Sequence, residues 1–425
     1  CMKKNLRYAI LLFILLFVAV NEAIIEMRST SWERPLIVHI YALSGDSRAA
    51  SEAYVDSLTS AYFKPMESFM NREARRYGIT IDAIKVEYHG RLSSHPPQPP
   101  SGQSVLENIW WRIDAALDLD MIYWSAALGA AEALASGTTC IIDHHESPHA
   151  IEGSLATIAK ACRDVGVRVN ACYGVTDRWD DNGILRSNVE PSSKMTNAAR
   201  RGLDEGLAFI KSGGRGMIGV HAAFTCGDET LHEAASLAAS LNVGVHIHVA
   251  EGIDDVDAGS RLESIARDNW LLVHSVHLDR PLLGSFVHNP RSNMNNSVGY
   301  AQPTKWSNTI LLGTDGIGAN MMEEARLAYV RLREFDITQD PTVVDSWLTN
   351  NYQLFPEAKN DKVTWSYDNM INPWHTAFTT EMHVLSVDVD GERMYEEGNL
   401  MRMDVKEIRA KAHEQAQRLF ERLEA

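Results

Sequence analysis

The chain has 425 residues, 45% of them apolar, which allows one large domain with appendages and does not fit a disordered composition. Its 56 acidic side chains outnumber 40 Lys and Arg, for a net charge of −16. That balance argues against a nucleic-acid backbone as main partner, since phosphate binding needs basic stripes, and it accommodates a neutral or cationic small molecule. Cys1, Cys140, Cys162, Cys172 and Cys226 are scattered with no CxxC pair, so buried reduced thiols are expected rather than a zinc ribbon or a disulfide scaffold.

Residues 1–23 read as a signal or anchor segment. Lys3, Lys4 and Arg7 precede an unbroken apolar run over 8–20, shorter than the about 20 residues of a membrane span. Export signal, uncleaved anchor and buried helix stay open. Residues 24–104 read as an α+β segment with a strand over 36–41, helix over most of 53–77, a second strand over 79–88, and then a proline-rich linker over 95–102.

From 105 to 340 helix and strand alternate. Helices are expected over 105–135, 151–165, 195–211, 229–241, 258–270 and 321–335, and strands over 138–142, 167–173, 217–220, 243–249, 271–274, 284–287 and 310–312. Such alternation means a parallel sheet, and its length favours a TIM-type (β/α)8 barrel of the α/β class. Between His277 and Phe286 the chain is too short for a normal barrel helix, so the barrel is expected to be incomplete or distorted. Residues 341–425 read as a reduced β/α appendage with a hairpin at Asp390-Gly391 and a closing helix over 404–423, capped by Asp404.

Three strand ends carry chemistry. His248-Val249-Ala250-Glu251, His274 and Thr314-Asp315-Gly316 each follow an apolar run, where barrel enzymes keep their reactive groups. Imidazole and carboxylate suit a divalent ion such as zinc or ferrous iron, so His248 and Asp315 are candidate ligands. Glu251 is a candidate general acid/base, and His274 can orient the attacking group. Taken singly, a histidine in an apolar strand is commonly a hydrogen-bonded core residue and Thr-Asp-Gly is commonly a turn. Three in register point to function. Of the adjacent His144 and His145, at most one can face the same site. His246 lies deeper in its strand than His248, and His221 is a candidate substrate contact.

Longer segments carry a resemblance. They are Trp110-Trp111-Arg112-Ile113-Asp114, Ser136-Gly137-Thr138-Thr139, Ile142-Asp143-His144-His145-Glu146-Ser147-Pro148 and Ile151-Glu152-Gly153-Ser154-Leu155. Further on come His221-Ala222-Ala223-Phe224-Thr225, Val245-His246-Ile247-His248-Val249-Ala250-Glu251, His288-Asn289-Pro290-Arg291-Ser292-Asn293-Met294-Asn295-Asn296 and Leu312-Gly313-Thr314-Asp315-Gly316-Ile317-Gly318. From about Trp110 onward the chain resembles the deaminase and chlorohydrolase branch of the amidohydrolase superfamily, most closely the SsnA-type aminohydrolases. The resemblance implies one divalent metal ion, zinc before iron, and hydrolytic removal of an amino group from a purine- or pyrimidine-like heterocycle. It implies metal ligation by His248 and Asp315, proton transfer by Glu251 and His274, and substrate contact by His221, with Asn289, Ser292 and Asn293 as further substrate candidates. It also implies cytoplasmic location, unless the run over 8–20 anchors or exports the chain. Homo-oligomerisation stays open.

Such enzymes take two more ligands from a His-x-His on the first barrel strand. Here the nearest match is Glu87-Tyr88-His89, so Glu87 and His89 are the candidates for that role, and the segment before residue 105 does not otherwise resemble the family. The alternative reading is an impaired or inactive remnant of such a hydrolase joined to a membrane-targeting segment.

Overall fold

A computed structural model describes residues 35–42, 49–76, 78–91, 111–180, 184–186, 188–367, 371–379 and 382–424. The apolar run over 8–20, the proline-rich linker and the expected helix start at 105 lie outside them. The chain divides into two compact units, residues 1–103 and 104–425.

In the first unit, β1 (Leu36–Ala42) and β2 (Ile84–Arg91) pair in parallel, joined through helices Ala49–Ser57 and Ser60–Arg76. The second strand starts later than the sequence suggests. The Asn71 side chain accepts from the Ile84 N–H at 2.8 Å and donates to its carbonyl at 2.9 Å, so it pairs with the strand's first residue as a neighbouring strand would.

The second unit is built on a curled sheet of seven parallel strands in sequence order, an incomplete TIM-type barrel. They are β3 (Cys140–His145), β4 (Arg168–Val175), β5 (Ile218–Ala222), β6 (Val245–Val249), β7 (Leu271–His274), β8 (Ser285–His288) and β9 (Ile310–Leu312). Helices Ser154–Val165, Asn197–Lys211, Asp228–Leu241 and Met321–Phe335 alternate with them, and no helix lies between β7 and β8. Strand and helix residues such as Leu134, Leu155, Leu203, Ile247, Leu272 and Leu332 bury completely in one core. Inside the curl, Cys172, Met217, Leu271 and Leu311 form an apolar plug beneath the polar strand ends.

Two expected helices change. The helix expected from 105 is broken at Asp118, whose carboxylate caps Leu119–Ala135 by accepting from the Met121 N–H at 3.0 Å. The helix expected over 258–270 ends at Leu262, and turns closed by Ile265 and Ala266 N–H bonds to the Leu262 carbonyl carry the chain to β7.

After β9, helix Pro341–Asn350 leads to a four-stranded antiparallel sheet of β10 (Lys362–Trp365), β11 (Val384–Val389), β12 (Glu392–Glu396) and β13 (Asn399–Leu400). The closing helix Val405–Glu424 packs on Leu119–Ala135, with Ile408 buried in the same core as the barrel strands. The appendage thus shares the barrel's core. Cys162, Cys172 and Cys226 are buried free thiols and Cys140 is half-buried. Among the described residues, no helix is long and apolar enough to cross a membrane.

Candidate active site at the strand ends

Parallel strands leave their last side chains pointing into one mouth, and here the backbone bends sharply as each strand stops. Ala250, His274 and Asp315 all take the left-handed conformation (φ 47°, 68° and 53°), a sparsely populated region for non-glycine residues. The bends bring donor atoms of Glu251, His274 and Asp315 within 4.8 Å of one another. His274 Nε2 lies 3.6 Å from Glu251 Oε2 and 3.8 Å from Asp315 Oδ2. These gaps are too long for direct hydrogen bonds and suit atoms that share a third group between them.

Each side chain is held from behind. His274 Nδ1 donates to Asn293 Oδ1 at 2.8 Å, which leaves Nε2 facing the carboxylates. Gly313 makes room for Asn289 beside it, because a Cβ there would stand 2.3 Å from Asn289 Oδ1. The Ser292 hydroxyl donates to Asp315 Oδ2 and the Gly316 N–H to Asp315 Oδ1. Burial works to raise the Asp315 carboxyl, but His274, the Ser292 bond and His248 outweigh it and hold the group below its ordinary value, so it is charged at neutral pH. Asn296 donates to Glu251 Oε1 at 3.2 Å, leaving Oε2 toward His274.

His248 Nδ1 donates to the His221 carbonyl at 2.7 Å, so its free lone pair is on Nε2. Burial and neighbouring His274 lower its pKa, which keeps the ring neutral and able to ligate. The His248 ring centroid is 5.5 Å from that of His274 and 5.4 Å from that of His221. His221 Nδ1 meets Thr225 Oγ1 at 3.0 Å, and its ring stands edge-on to Trp111 and Phe224.

Of the adjacent pair, His144 turns toward the site, its ring 4.6 Å from that of His248, while His145 Nε2 bonds Ser147 Oγ. His246 sits one layer down with Nδ1 2.8 Å from His144 Nδ1, and burial pushes it down to about 3. Glu87 and His89 belong to the first unit, where β2 brings them beside His39.

Asp255 does not stand out in the sequence as a site residue. Its carboxylate is buried and accepts from the Ala250 N–H at 2.7 Å and the Phe224 N–H at 2.9 Å, tying the bend after His248 to the loop after His221. Burial pushes its carboxyl up to about 7. Buried Arg178 and Glu146 were likewise missed. They pair with each other, the guanidinium lies 3.9 Å over the Trp111 ring, and Glu146 accepts from Trp179 Nε1 at 3.1 Å.

A family model described as the amidohydrolase family matches residues 94–343. This chain belongs to that family. Among curated relatives, it is 26% identical over 359 residues to the 5'-deoxyadenosine deaminase of Methanocaldococcus jannaschii, covering 73% of this chain and 80% of that protein. It is 29% identical over 285 residues to the 5-methylthioadenosine/S-adenosylhomocysteine deaminase of Moorella thermoacetica, covering 60% of each. Among solved structures, an adenosine deaminase from Xanthomonas campestris with bound zinc superposes with a TM-score of 0.61 at 18% identity, over 74% of this chain and 79% of that one. The zinc complex of atrazine chlorohydrolase TrzN from Arthrobacter aurescens TC1 gives 0.57 at 20%, over 75% and 83%. These two likenesses concern the fold. This amidohydrolase is a hydrolytic enzyme of the superfamily's deaminase branch, acting on C–N bonds.

Proposed function

We propose that this amidohydrolase removes the exocyclic amino group of an adenosine-like nucleoside by hydrolysis, releasing ammonia. The reading rests on the meeting of Glu251, His274 and Asp315 at the strand ends, in a chain whose relatives are named for such substrates. The donor set fits a borderline divalent ion, zinc before iron: the neutral His248 imidazole with its lone pair free and the charged Asp315 carboxylate, while the gaps of 3.6 and 3.8 Å from His274 Nε2 to Glu251 and Asp315 suit the water that such an ion would hold. His248 Nε2 and Asp315 would hold it. Bound there, such an ion makes water acidic enough to attack at neutral pH.

The remaining work falls to side chains. Glu251 takes a proton from the attacking water at Oε2 and passes it to a ring nitrogen as the water oxygen bonds to the amino-bearing carbon. His274 Nε2 orients the water, with Asn293 holding the ring. The hydroxyl now on that carbon gives up its proton, which Glu251 carries to the amino group; the carbon–nitrogen bond breaks as the carbonyl forms, and ammonia leaves while the ring nitrogen keeps the first proton. Asn289, Ser292 and Asn293 have their side chains turned to His274, Asp315 and Gly313, so in this reading they position catalytic groups rather than touch substrate. His221 contacts the substrate.

The test is ammonia release from adenosine, 5'-deoxyadenosine and 5-methylthioadenosine by zinc-supplied protein. Turnover of one of them is expected, and none with zinc bound would sink the nucleoside reading. The inactive-remnant reading draws on the seven strands among the described residues, one short of a closed barrel. It predicts protein that retains no ion at His248 and Asp315.

A further inference from the structure

We propose that His39, Glu87 and His89 form a separate binding site for a borderline divalent ion such as zinc on the parallel sheet of the first unit, where the ion clips β1 to β2. His39 and Glu87 are register partners across the two strands, and His89, two residues along β2, shares Glu87's face. Their donor atoms converge. His39 Nδ1 is 2.7 Å from His89 Nε2 and 3.7 Å from Glu87 Oε2, and His89 Nε2 is 3.9 Å from the same oxygen. Donors placed tetrahedrally about 2.0 to 2.2 Å from one ion stand about 3.3 to 3.6 Å apart, so the ion would replace the hydrogen bond between the two rings and shift each donor by less than about 1 Å. Two imidazoles and one carboxylate are also the donors such an ion prefers, and they leave positions for water.

Two neighbours set the ligands' orientation, as outer partners do at metal centres. The Tyr41 ring stacks on His89 with centroids 5.0 Å apart and planes 18° apart. Lys85 Nζ holds Glu87 Oε1 at 2.6 Å, which leaves Oε2 for the two histidines.

The unit also has a physical need for a clip. Among its described residues only Ala42, Val55, Asn71 and Ala83 are buried, while Ile37, Tyr54, Tyr62, Met66, Phe69 and Met70 are exposed. A two-stranded sheet with so little core is marginal in water, and small units of this kind are commonly stapled by a disulfide or a metal. No cysteine lies between Cys1 and Cys140. An ion bound to the folded sheet and not to the unfolded chain stabilises it in proportion to the logarithm of its concentration.

The experiment uses the full chain, stripped with chelator, equilibrated with zinc and freed of excess. Wild type is expected to carry one zinc per chain more than His39→Ala, with the two equal in deaminase turnover. Zinc should slow proteolysis within residues 49–91 of wild type and not of the variant. His39 is half exposed, and circular dichroism checks that the variant folds. Glu87→Gln, which keeps shape and removes charge, provides a second variant and should bind zinc more weakly. Equal zinc content in wild type and both variants overturns the proposal, as does zinc-independent proteolysis. A chain inactive on nucleosides leaves this outcome untouched, because the zinc count does not pass through turnover.

Discussion

Both units gather histidines and carboxylates at parallel strands, yet the two clusters live in different physics. At the ends of β6, β7 and β9, the His274 side chain is 1% exposed and Glu251 16%, whereas His39 and Glu87 in the first unit are 49% and 32% exposed. Beneath the first cluster lies a continuous core, and buried Asn293 and Ser292 hold His274 and Asp315. Beneath the second lies almost none. Residue type makes a cluster capable of chemistry, while burial decides protonation state and how strongly charges act on one another.

The sharpest way to break this contrast is Glu251→Gln. The variant keeps size and hydrogen bonding and cannot relay a proton, so turnover should fall by about 10²- to 10⁴-fold with metal content unchanged. Activity close to wild type would move the relay elsewhere, His274 being next.

Asp255→Asn tests whether burial tunes the barrel's groups. A folded-state pKa of about 7 lies above the unfolded value of about 3.9, so the native state holds more protons between them. This stabilising contribution is complete below about pH 4 and is lost as pH rises through 7. Denaturant titrations should therefore show wild type losing up to about 4 kcal/mol relative to the variant between pH 4 and 8, at about 1.4 kcal/mol per unit. Parallel pH profiles would mean that Asp255 is solvated.

Core substitutions come next. Leu272, fully buried, should cost about 2 to 5 kcal/mol when cut to Ala, while Ile37→Ala, at an exposed position of the first unit, should stay within about 0.5 kcal/mol. Comparable losses at both positions would erase the distinction between the units. Asn71→Ala, which leaves the Ile84 N–H and carbonyl without their partner, should cost the first unit about 1 to 3 kcal/mol. Hydrogen exchange should then quicken in β2 and not in β6; quickening in both would mean that the units unfold together.

Much of this could be read from residue order. Apolar runs of strand length ending in His248, His274 and Asp315 located the mouth of the sheet, and the short link after His277 foretold a missing helix. The break at Asp118 was harder, because an unbroken apolar pattern hides a cap. The early stop at Leu262 was hidden for a similar reason: periodicity continued to Trp270 through turns that still bury Ile265 and Ala266.

Residue order alone carried the seven barrel strands, their parallel order and the residues at their ends, because periodicity and strand length are local properties of the chain. Only the tertiary structure decided which of the histidines share one space. His144 and His248 are far apart in sequence and have rings 4.6 Å apart. Asp255 became a site residue because folding buried it against two backbone N–H groups, and His39 found Glu87 and His89 only through the register of β1 on β2. Such meetings depend on curl, register and desolvation, which arise when distant segments pack and are carried by no single stretch of residues.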